Sequence, residues 1–198
     1  MATAKVTIDQ IKKLKELSGA GLTDAKQALV EAKGDFDKAL AAMRKKGLTK
    51  AEKRGDRETR EGLIDSYIHD GRIGAILELN CETSFVAKTD EFKDLAHKLA
   101  MQIASMNPRF VSESDIPASV MSEKKAELEA AFKGSANKKT MIIDGQLKKF
   151  FADQILLSQP YILDDTKTVE QLVKESIAKT GENIVIRQFK RIELGVTE

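Results

Sequence analysis

The side chains that most often carry out covalent chemistry are scarce in this sequence. It contains one cysteine, Cys81, and two histidines, His69 and His97. A thiol enzyme built on Cys81 would need a neighbouring base. The cysteine ends a predicted strand, however, and the sequence does not fix the register that would bring His69 beside it. A buried structural thiol is therefore favoured over a nucleophile, and we find no convincing catalytic centre.

A phosphate-binding loop is the second chemical possibility. Gly19-Ala20-Gly21 supplies the first two glycines of a dinucleotide-binding fingerprint, but Asp24 stands where the third is required, and no predicted strand precedes the motif. A turn between two helices explains these glycines better. A single cysteine also excludes a CxxC zinc site. We therefore expect neither a cofactor nor a metal ion.

The most informative segment is ELNCETSFVAKTDEF, residues 78–92, in which a predicted strand stops and a helix starts. Phe92 falls on the apolar face of that helix, whereas Phe85 and Val86 lie in the corner itself. A hydrophobic side chain in such a corner either packs as a staple against the helix or projects outward. The pattern alone favours the staple for Phe85.

The elements before this segment are predicted to be three short amphipathic helices. Thr7 and Gln10 have the spacing of a capping box for the first helix. Asp35 can cap the third, which we expect to end at Lys46-Gly47, because glycine commonly terminates helices. Residues 1–47 are therefore predicted to form a three-helix module of their own.

Residues 48–62 hold nine charged side chains and little that could be buried, so we predict a charged linker or a solvated helix. From Gly62 the hydrophobic period changes to two, and Asp70-Gly71 between two alternating runs predicts a β-hairpin. The later pattern predicts a helix over Phe92–Ile103, a helical hairpin at about 119–157, a helix over Val169–Lys179 and a strand from Ile184. The fold class is then α+β, and residues 63–198 form a core with a three-stranded antiparallel sheet packed by helices.

Composition restricts the possible partners. The chain has 33 Lys and Arg against 31 Asp and Glu, a net charge of +2, and 41% hydrophobic residues. Near balance of charge argues against a dedicated nucleic-acid binder, and no apolar run approaches the length of a membrane span. We expect a soluble cytoplasmic protein without a membrane or direct nucleic-acid partner.

Two stretches resemble the signatures of a known family. LKELSGAGLTDAKQALVEAKGDFDKALAAMRKKG, residues 14–47, and ELNCETSFVAK, residues 78–88, are similar to those of elongation factor Ts. The resemblance continues through residues 99–108, 145–165 and 181–195. It implies a guanine-nucleotide exchange factor that binds the GDP form of elongation factor Tu, expels GDP and admits GTP without bond chemistry.

The resemblance also assigns roles to the two signatures. It implies that the amino-terminal module is a ubiquitin-associated-like bundle that docks on the GTPase domain of the partner. The corresponding positions are Gly19, Ala20, Gly21, Leu22 and Lys26.

In the second signature, the family presses a phenylalanine between helices of the GTPase and disturbs its magnesium site. Carried onto this sequence, that corner is Thr83, Ser84, Phe85 and Val86, with Phe85 as the wedge. The resemblance thereby reverses the preference for a staple. Ser84 departs from the family, which usually has Asp there, and Asp90 is a less favoured substitute for the missing carboxylate.

Length implies an oligomeric state, because short family members that this chain resembles pair as homodimers. We expect a dimer joined through the core, which binds two partner molecules in a bacterial cytoplasm. Two alternatives stay open: a non-catalytic adaptor that uses only the amino-terminal module, and a thiol-dependent enzyme centred on Cys81. Cys81→Ser should abolish the activity of the enzyme, whereas Phe85→Ala should abolish exchange.

Overall fold

A computed structural model describes residues 6–18, 20–132 and 138–196 of the chain. The helices are α1 (Ile8–Ser18), α2 (Leu22–Glu31), α3 (Phe36–Glu52), α4 (Ser84–Ala87), α5 (Asp90–Met106), α6 (Ala118–Ala131), α7 (Lys139–Ala152) and α8 (Val169–Thr180). The strands are β1 (Glu61–His69), β2 (Ile73–Cys81), β3 (Pro160–Tyr161), β4 (Asp164–Thr168) and β5 (Ile184–Glu193). Short 3₁₀ turns lie at Glu113–Asp115 and Leu156–Ser158. The predicted α+β class is confirmed.

Helices α1, α2 and α3 form a bundle around their own apolar cluster, as the sequence predicts. The capping box is present: the Thr7 backbone N–H donates to Gln10 Oε1 at 3.0 Å, and the Gln10 N–H donates to Thr7 Oγ1 at 3.2 Å. The Lys38 N–H donates to the Asp35 carboxylate at 3.1 Å at the start of α3. The buried cluster consists of Ile11, Leu14, Ala25, Ala28, Leu29, Ala39 and Met43.

The predicted end of the third helix is wrong. Helix α3 continues through Gly47 to Glu52, so the first five residues of the predicted linker are helical. The glycine does not terminate the helix but permits a close approach: a Cβ at position 47 would lie 3.2 Å from the Cβ of Ala178 in α8. Ala51, one turn further along, is buried. The division of the chain after 47 and 62 stays a prediction.

Strands β1, β2 and β5 form an antiparallel sheet in the order β1-β2-β5. The hairpin turn between β1 and β2 contains Asp70 and Gly71, whose φ angles are +48° and +66°, as expected for an Asp-Gly turn. Beyond β5, the Leu194 N–H donates to the Arg72 carbonyl at 2.8 Å, which joins the end of the last strand to this turn.

Helix α5 lies against one side of the sheet. His97 Nδ1 of α5 is 3.4 Å from Asp65 Oδ2 of β1, and Arg191 Nε of β5 donates to the Ala104 carbonyl at 3.0 Å. Because side chains alternate along a strand, the neighbours of Asp65 and Arg191 face the other side. Four isoleucines on that side are exposed, namely Ile64, Ile68, Ile76 and Ile192, and we call them the open sheet face.

The helical hairpin predicted at about 119–157 corresponds to α6 and α7, but α7 ends at Ala152. The chain then turns because Ile155 forms a parallel bridge with Phe110, and the Leu156 N–H donates to the Phe110 carbonyl at 2.9 Å. The small β3-β4 sheet that follows is not predicted by the sequence.

The chain divides into two compact units, each made of separate stretches of sequence. One contains the residues up to Leu63, Leu79–Ala96 and Gln171–Val185, and the other contains Ile64–Glu78, His97–Glu170 and the residues from Ile186 onward. No helix in the described parts of the chain is long and apolar enough to span a bilayer.

Candidate functional site at the corner after strand β2

The corner between β2 and α5 is built from two successive helix caps. Thr83 is the N-cap of the one-turn helix α4, and its Oγ1 accepts a hydrogen bond from the Val86 N–H at 3.5 Å. Thr89 then caps α5: its Oγ1 accepts from the Phe92 N–H at 3.3 Å and donates to the Val86 carbonyl at 2.8 Å. Threonine favours this position because its hydroxyl satisfies N–H groups that lack helical partners. The backbone of residues 83–92 is therefore held by local hydrogen bonds.

Phe85 is the most exposed large hydrophobic residue among those described, with 84% of its surface accessible. The staple favoured by the local pattern is thus wrong for Phe85. The corner is anchored by other residues, because Ala87 and Phe92 are buried while Val86 is half-buried. Burial of Phe92 agrees with its predicted position on the apolar face of α5. The structure therefore presents one ring to solvent and packs the other.

A carboxylate remote in sequence holds the start of the corner. Glu182 Oε2 accepts from the Thr83 N–H at 3.0 Å, and Glu182 Oε1 accepts from the Thr83 hydroxyl at 2.6 Å. In return, the Asn183 N–H donates to Glu82 Oε1 at 2.6 Å. Residues 82–83 and 182–183 thus bind one another reciprocally, backbone to carboxylate, in what we call the carboxylate clasp.

The clasp is itself fixed to the segment that leads into β1. The Asn183 side-chain amide donates to the carbonyls of Gly55 and Arg57 at 3.2 and 2.8 Å. The Arg57 guanidinium lies 3.4 Å from Glu82, whose carboxylate is bound by the Asn183 N–H. Asn183 is only 1% exposed, so its amide needs these partners. The clasp is consequently hydrogen-bonded to backbone carbonyls of a third segment, residues 55–57.

Sequence reasoning did not identify the clasp. Glu182 and Asn183 follow Gly181, and the local pattern marks them only as the loop between a helix and a strand. Their partners lie about a hundred residues earlier, which no periodicity can reveal. The one signal was their place in the stretch 181–195 that resembles the family.

Cys81 lies directly before the corner and is fully buried. Its thiol donates to the Thr83 carbonyl at 3.2 Å. Burial, followed by the charge of Glu182, raises the pKa of the Cys81 thiol. A nucleophilic cysteine requires the opposite, an accessible thiolate with a lowered pKa. These properties favour the structural role predicted from the sequence.

The predicted residues of the amino-terminal module lie at the junction of α1 and α2. Gly19 falls outside the described residues. Ala20 packs against the bundle core, Gly21 is the N-cap residue of α2, and Leu22 and Lys26 are exposed. The φ of Gly21 is −64°, so its backbone conformation is open to any residue.

The two histidines surround Tyr67 on β1. The Tyr67 hydroxyl is 3.1 Å from His69 Nδ1, and the Tyr67 ring meets the His97 ring edge-on at 5.8 Å. Within the described ranges, no group of three or more His, Cys, Asp or Glu side chains could hold a metal ion.

The described residues define an α+β protein with an amino-terminal helical bundle and a corner that presents an aromatic ring to solvent. Comparison with known proteins identifies the class further. The family described as Elongation factor TS matches residues 4–196. The chain is therefore a translation elongation factor, and it belongs to the elongation factor Ts family.

Several relatives named Elongation factor Ts match almost end to end. That of Thermotoga maritima is 50% identical over 193 residues, which cover 96% of this chain and 97% of the relative. That of Fervidobacterium nodosum is 46% identical over 195 residues, covering 96% and 99%. That of Thermodesulfovibrio yellowstonii is 44% identical over 195 residues, covering 98% of each. The resemblance inferred from the sequence is confirmed.

Proposed function

We propose that this protein is the guanine-nucleotide exchange factor of elongation factor Tu. It binds the GDP form, promotes release of GDP and leaves when GTP enters, and it makes or breaks no covalent bond. Family membership supports the choice of partner. The exposed ring of Phe85, at the end of a fixed corner, is the observation that carries the mechanism.

Binding of the factor and binding of GDP to elongation factor Tu are thermodynamically linked in this proposal. Exchange is accelerated if the factor binds the nucleotide-free conformation of its partner better than the GDP-bound one, and GDP then weakens factor binding equally. Burial of an aromatic side chain such as Phe85 supplies about 1.5–3 kcal/mol. When the pocket for that ring exists only in the opened partner, this free energy favours the opened state alone and disfavours magnesium and GDP.

The other corner residues support the wedge. Thr83 caps the helix that carries Phe85, Val86 is half-buried beside it in sequence, and Ser84 supplies a hydroxyl where the family usually has a carboxylate. Asp90 does not substitute for that carboxylate in this proposal, because it begins α5 and lies 3.8 Å from Lys93.

The amino-terminal module provides a second contact. Leu22 is exposed beside Lys26 on α2, and Leu17 is exposed at the end of α1, so a small apolar patch with a cation stands at the helix junction. We assign Gly19, Ala20, Gly21, Leu22 and Lys26 to docking on the GTPase domain of elongation factor Tu. This contact holds the partner while the wedge acts.

Two copies of the chain form a homodimer through the open sheet face in this proposal. Ile64, Ile68, Ile76 and Ile192 are exposed together on one side of the sheet, and apolar patches of this kind are typical of protein interfaces. The complex then contains two exchange factors and two partner molecules, in a bacterial cytoplasm and without contact to nucleic acid or membrane.

The decisive experiment measures release of a fluorescent GDP analogue from elongation factor Tu by stopped flow at fixed Mg²⁺. The intact protein should accelerate release strongly, and Phe85→Ala should lose most of the acceleration. Leu163→Ala is the matched control, since it shortens another exposed apolar side chain. Acceleration that survives Phe85→Ala would refute the wedge but keep the function. Absence of acceleration by the intact protein would refute the proposed function and leave the adaptor standing.

A further inference from the structure

We propose that Glu182 is a positioning residue for the exchange reaction, which holds the corner of Phe85 in its working shape before the partner arrives. The proposal rests on the proposed function, since it assigns Glu182 a part in the action of Phe85. Its basis is the carboxylate clasp, in which Glu182 binds both hydrogen-bond donors of Thr83.

The exposed side chain of Phe85 depends on its backbone for a fixed direction. A side chain that is 84% exposed is not held by its own packing. Its direction depends on the backbone of α4, a helix of one turn, which is too short to be stable by itself. The N-cap Thr83 at one end of α4 and buried Ala87 at the other therefore fix this backbone together.

The Thr83 hydroxyl is held in one direction by Glu182. A hydroxyl has one proton to donate and two lone pairs, and an ionised carboxylate can only accept. The Thr83 hydroxyl therefore donates its hydrogen bond to Glu182, at 2.6 Å between the oxygens, and keeps its lone pairs for the Val86 N–H. The carboxylate thus selects the hydroxyl orientation that caps α4.

The loop that carries the Glu182 carboxylate is itself held by hydrogen bonds. Glu182 is followed by Asn183, whose N–H is bound by Glu82 and whose amide is bound by the Gly55 and Arg57 carbonyls. A carboxylate on a mobile loop would have to be ordered on binding, and that ordering costs affinity. Here the loop is ordered in the free chain, so the wedge is already in place when the partner is met.

The test measures GDP release from elongation factor Tu as a function of factor concentration. Glu182→Ala should lower the plateau rate constant by roughly tenfold, because hydrogen bonds to a charged group are among the stronger ones. The half-saturating concentration should change much less, since the amino-terminal module binds separately. Thr83→Val should behave like Glu182→Ala, whereas Thr83→Ser keeps the hydroxyl and should be close to the intact protein. Glu129→Gln, an exposed carboxylate on α6, is the matched control.

A double-mutant cycle separates positioning from general stability. If Glu182 acts through Phe85, Glu182→Ala should have almost no further effect in the Phe85→Ala background. Equal losses in both backgrounds would overturn the proposal, as would an unchanged plateau in Glu182→Ala. Glu182→Gln, which keeps the side-chain volume, serves as the test if Glu182→Ala does not fold by circular dichroism.

A readout without the partner keeps this proposal distinct from the proposed function. The chain contains no tryptophan, so Phe85→Trp introduces a single fluorescent reporter at the corner. Its fluorescence anisotropy should fall when Glu182→Ala is added and stay unchanged with Glu129→Gln. Anisotropy that does not respond to Glu182→Ala would overturn the positioning role, even if exchange itself were found. A fall in anisotropy without any exchange would support positioning and refute the proposed function.

Discussion

Gly47 of helix α3 faces Ala178 of helix α8 at short range. A Cβ at position 47 would stand 3.2 Å from the Cβ of Ala178, closer than ordinary van der Waals contact. A glycine inside a helix usually costs stability through backbone entropy. At this position, the missing side chain instead allows two helices to pack.

Enlarging Gly47 should therefore destabilise the protein. We expect Gly47→Ile to lower the free energy of unfolding by about 1–3 kcal/mol, because extra atoms must displace Ala178 or the helix backbone. Urea unfolding followed by circular dichroism measures the change, and Ala178→Gly should restore part of the loss. Gly145→Ala in α7 is the control: no atom lies within 4 Å of a Cβ there, so it should stabilise by up to about 1 kcal/mol. Equal effects at both positions would refute the packing role.

A second prediction concerns two buried glutamines, Gln102 of α5 and Gln159. Gln102 Nε2 donates to Gln159 Oε1 and to the Pro160 carbonyl, both at 3.1 Å, and Gln102 Oε1 accepts from the Ile162 N–H at 2.9 Å. Gln159 Nε2 donates in turn to the carbonyls of Met106 and Asp153 at 3.3 and 2.7 Å. Every donor of the two side-chain amides is thus used at a buried site.

Removing one member of this pair leaves buried partners unsatisfied. Gln159→Leu should lower the free energy of unfolding by about 2–4 kcal/mol, and Gln102→Leu by a similar amount. The double variant should lose clearly less than the sum of the two, since each single change already breaks the shared bond. Denaturant titration measures all three, and strict additivity would contradict the network.

A third prediction follows from the raised pKa of the Cys81 thiol. Burial and the Glu182 charge favour the neutral thiol in the folded protein. Disulfide reagents should therefore modify native Cys81 at least about a hundredfold more slowly than the urea-unfolded chain, because reaction requires local opening. Cys81→Ala should still accelerate GDP release. Loss of exchange in that variant, with native circular dichroism, would instead favour the thiol enzyme.

The same thiol should make stability depend on alkaline pH. Because the pKa is higher in the folded state, the contribution of Cys81 is complete below the pKa of the unfolded thiol and is lost as the pH rises through that of the folded one. Unfolding titrations at increasing pH should therefore show a smaller decline for Cys81→Ala than for the intact chain. A steeper decline in the variant would show that the sign is wrong.

A fourth prediction addresses the open sheet face. Ile76→Glu places a charge at its centre and should convert a dimer into a monomer, because an unpaired charge is costly to bury. Light scattering should then fall from twice the chain mass to 21.9 kDa. Met141→Glu, a charge on the exposed side of α7, should leave the mass unchanged. A 21.9 kDa mass for the intact protein at micromolar concentration would refute the dimer.

Local chemistry explains which parts of the fold could be predicted. The Thr7–Gln10 capping box and the Asp70-Gly71 turn use residues within a few positions of each other, and both are found in the structure. The helix end predicted at Gly47 is wrong because glycine terminates some helices and permits close packing in others. Which of the two applies depends on Ala178, far along the chain.

The candidate site likewise contains some residues that could be predicted from the sequence and others that could not. The burial of Phe92 could be predicted from its helical period, whereas Thr83 entered only through the family resemblance. The direction of Phe85 could not, since a corner residue has no period, and only the family resemblance indicated exposure. Glu182 was invisible because its role depends entirely on a contact between distant segments.

The strand order β1-β2-β5 determines when the sheet can be completed during synthesis. Strands β1 and β2 are neighbours in sequence, but β5 begins at Ile184, after all eight helices described above have been made. The bundle of α1, α2 and α3 uses local contacts, which form quickly, whereas pairing of β2 with β5 must wait for the last strand. During translation, one long edge of β2 therefore stays uncovered until almost the whole chain has left the ribosome. A nascent chain halted before Ile184 should accordingly be sensitive to proteases within β2 and resistant within the bundle.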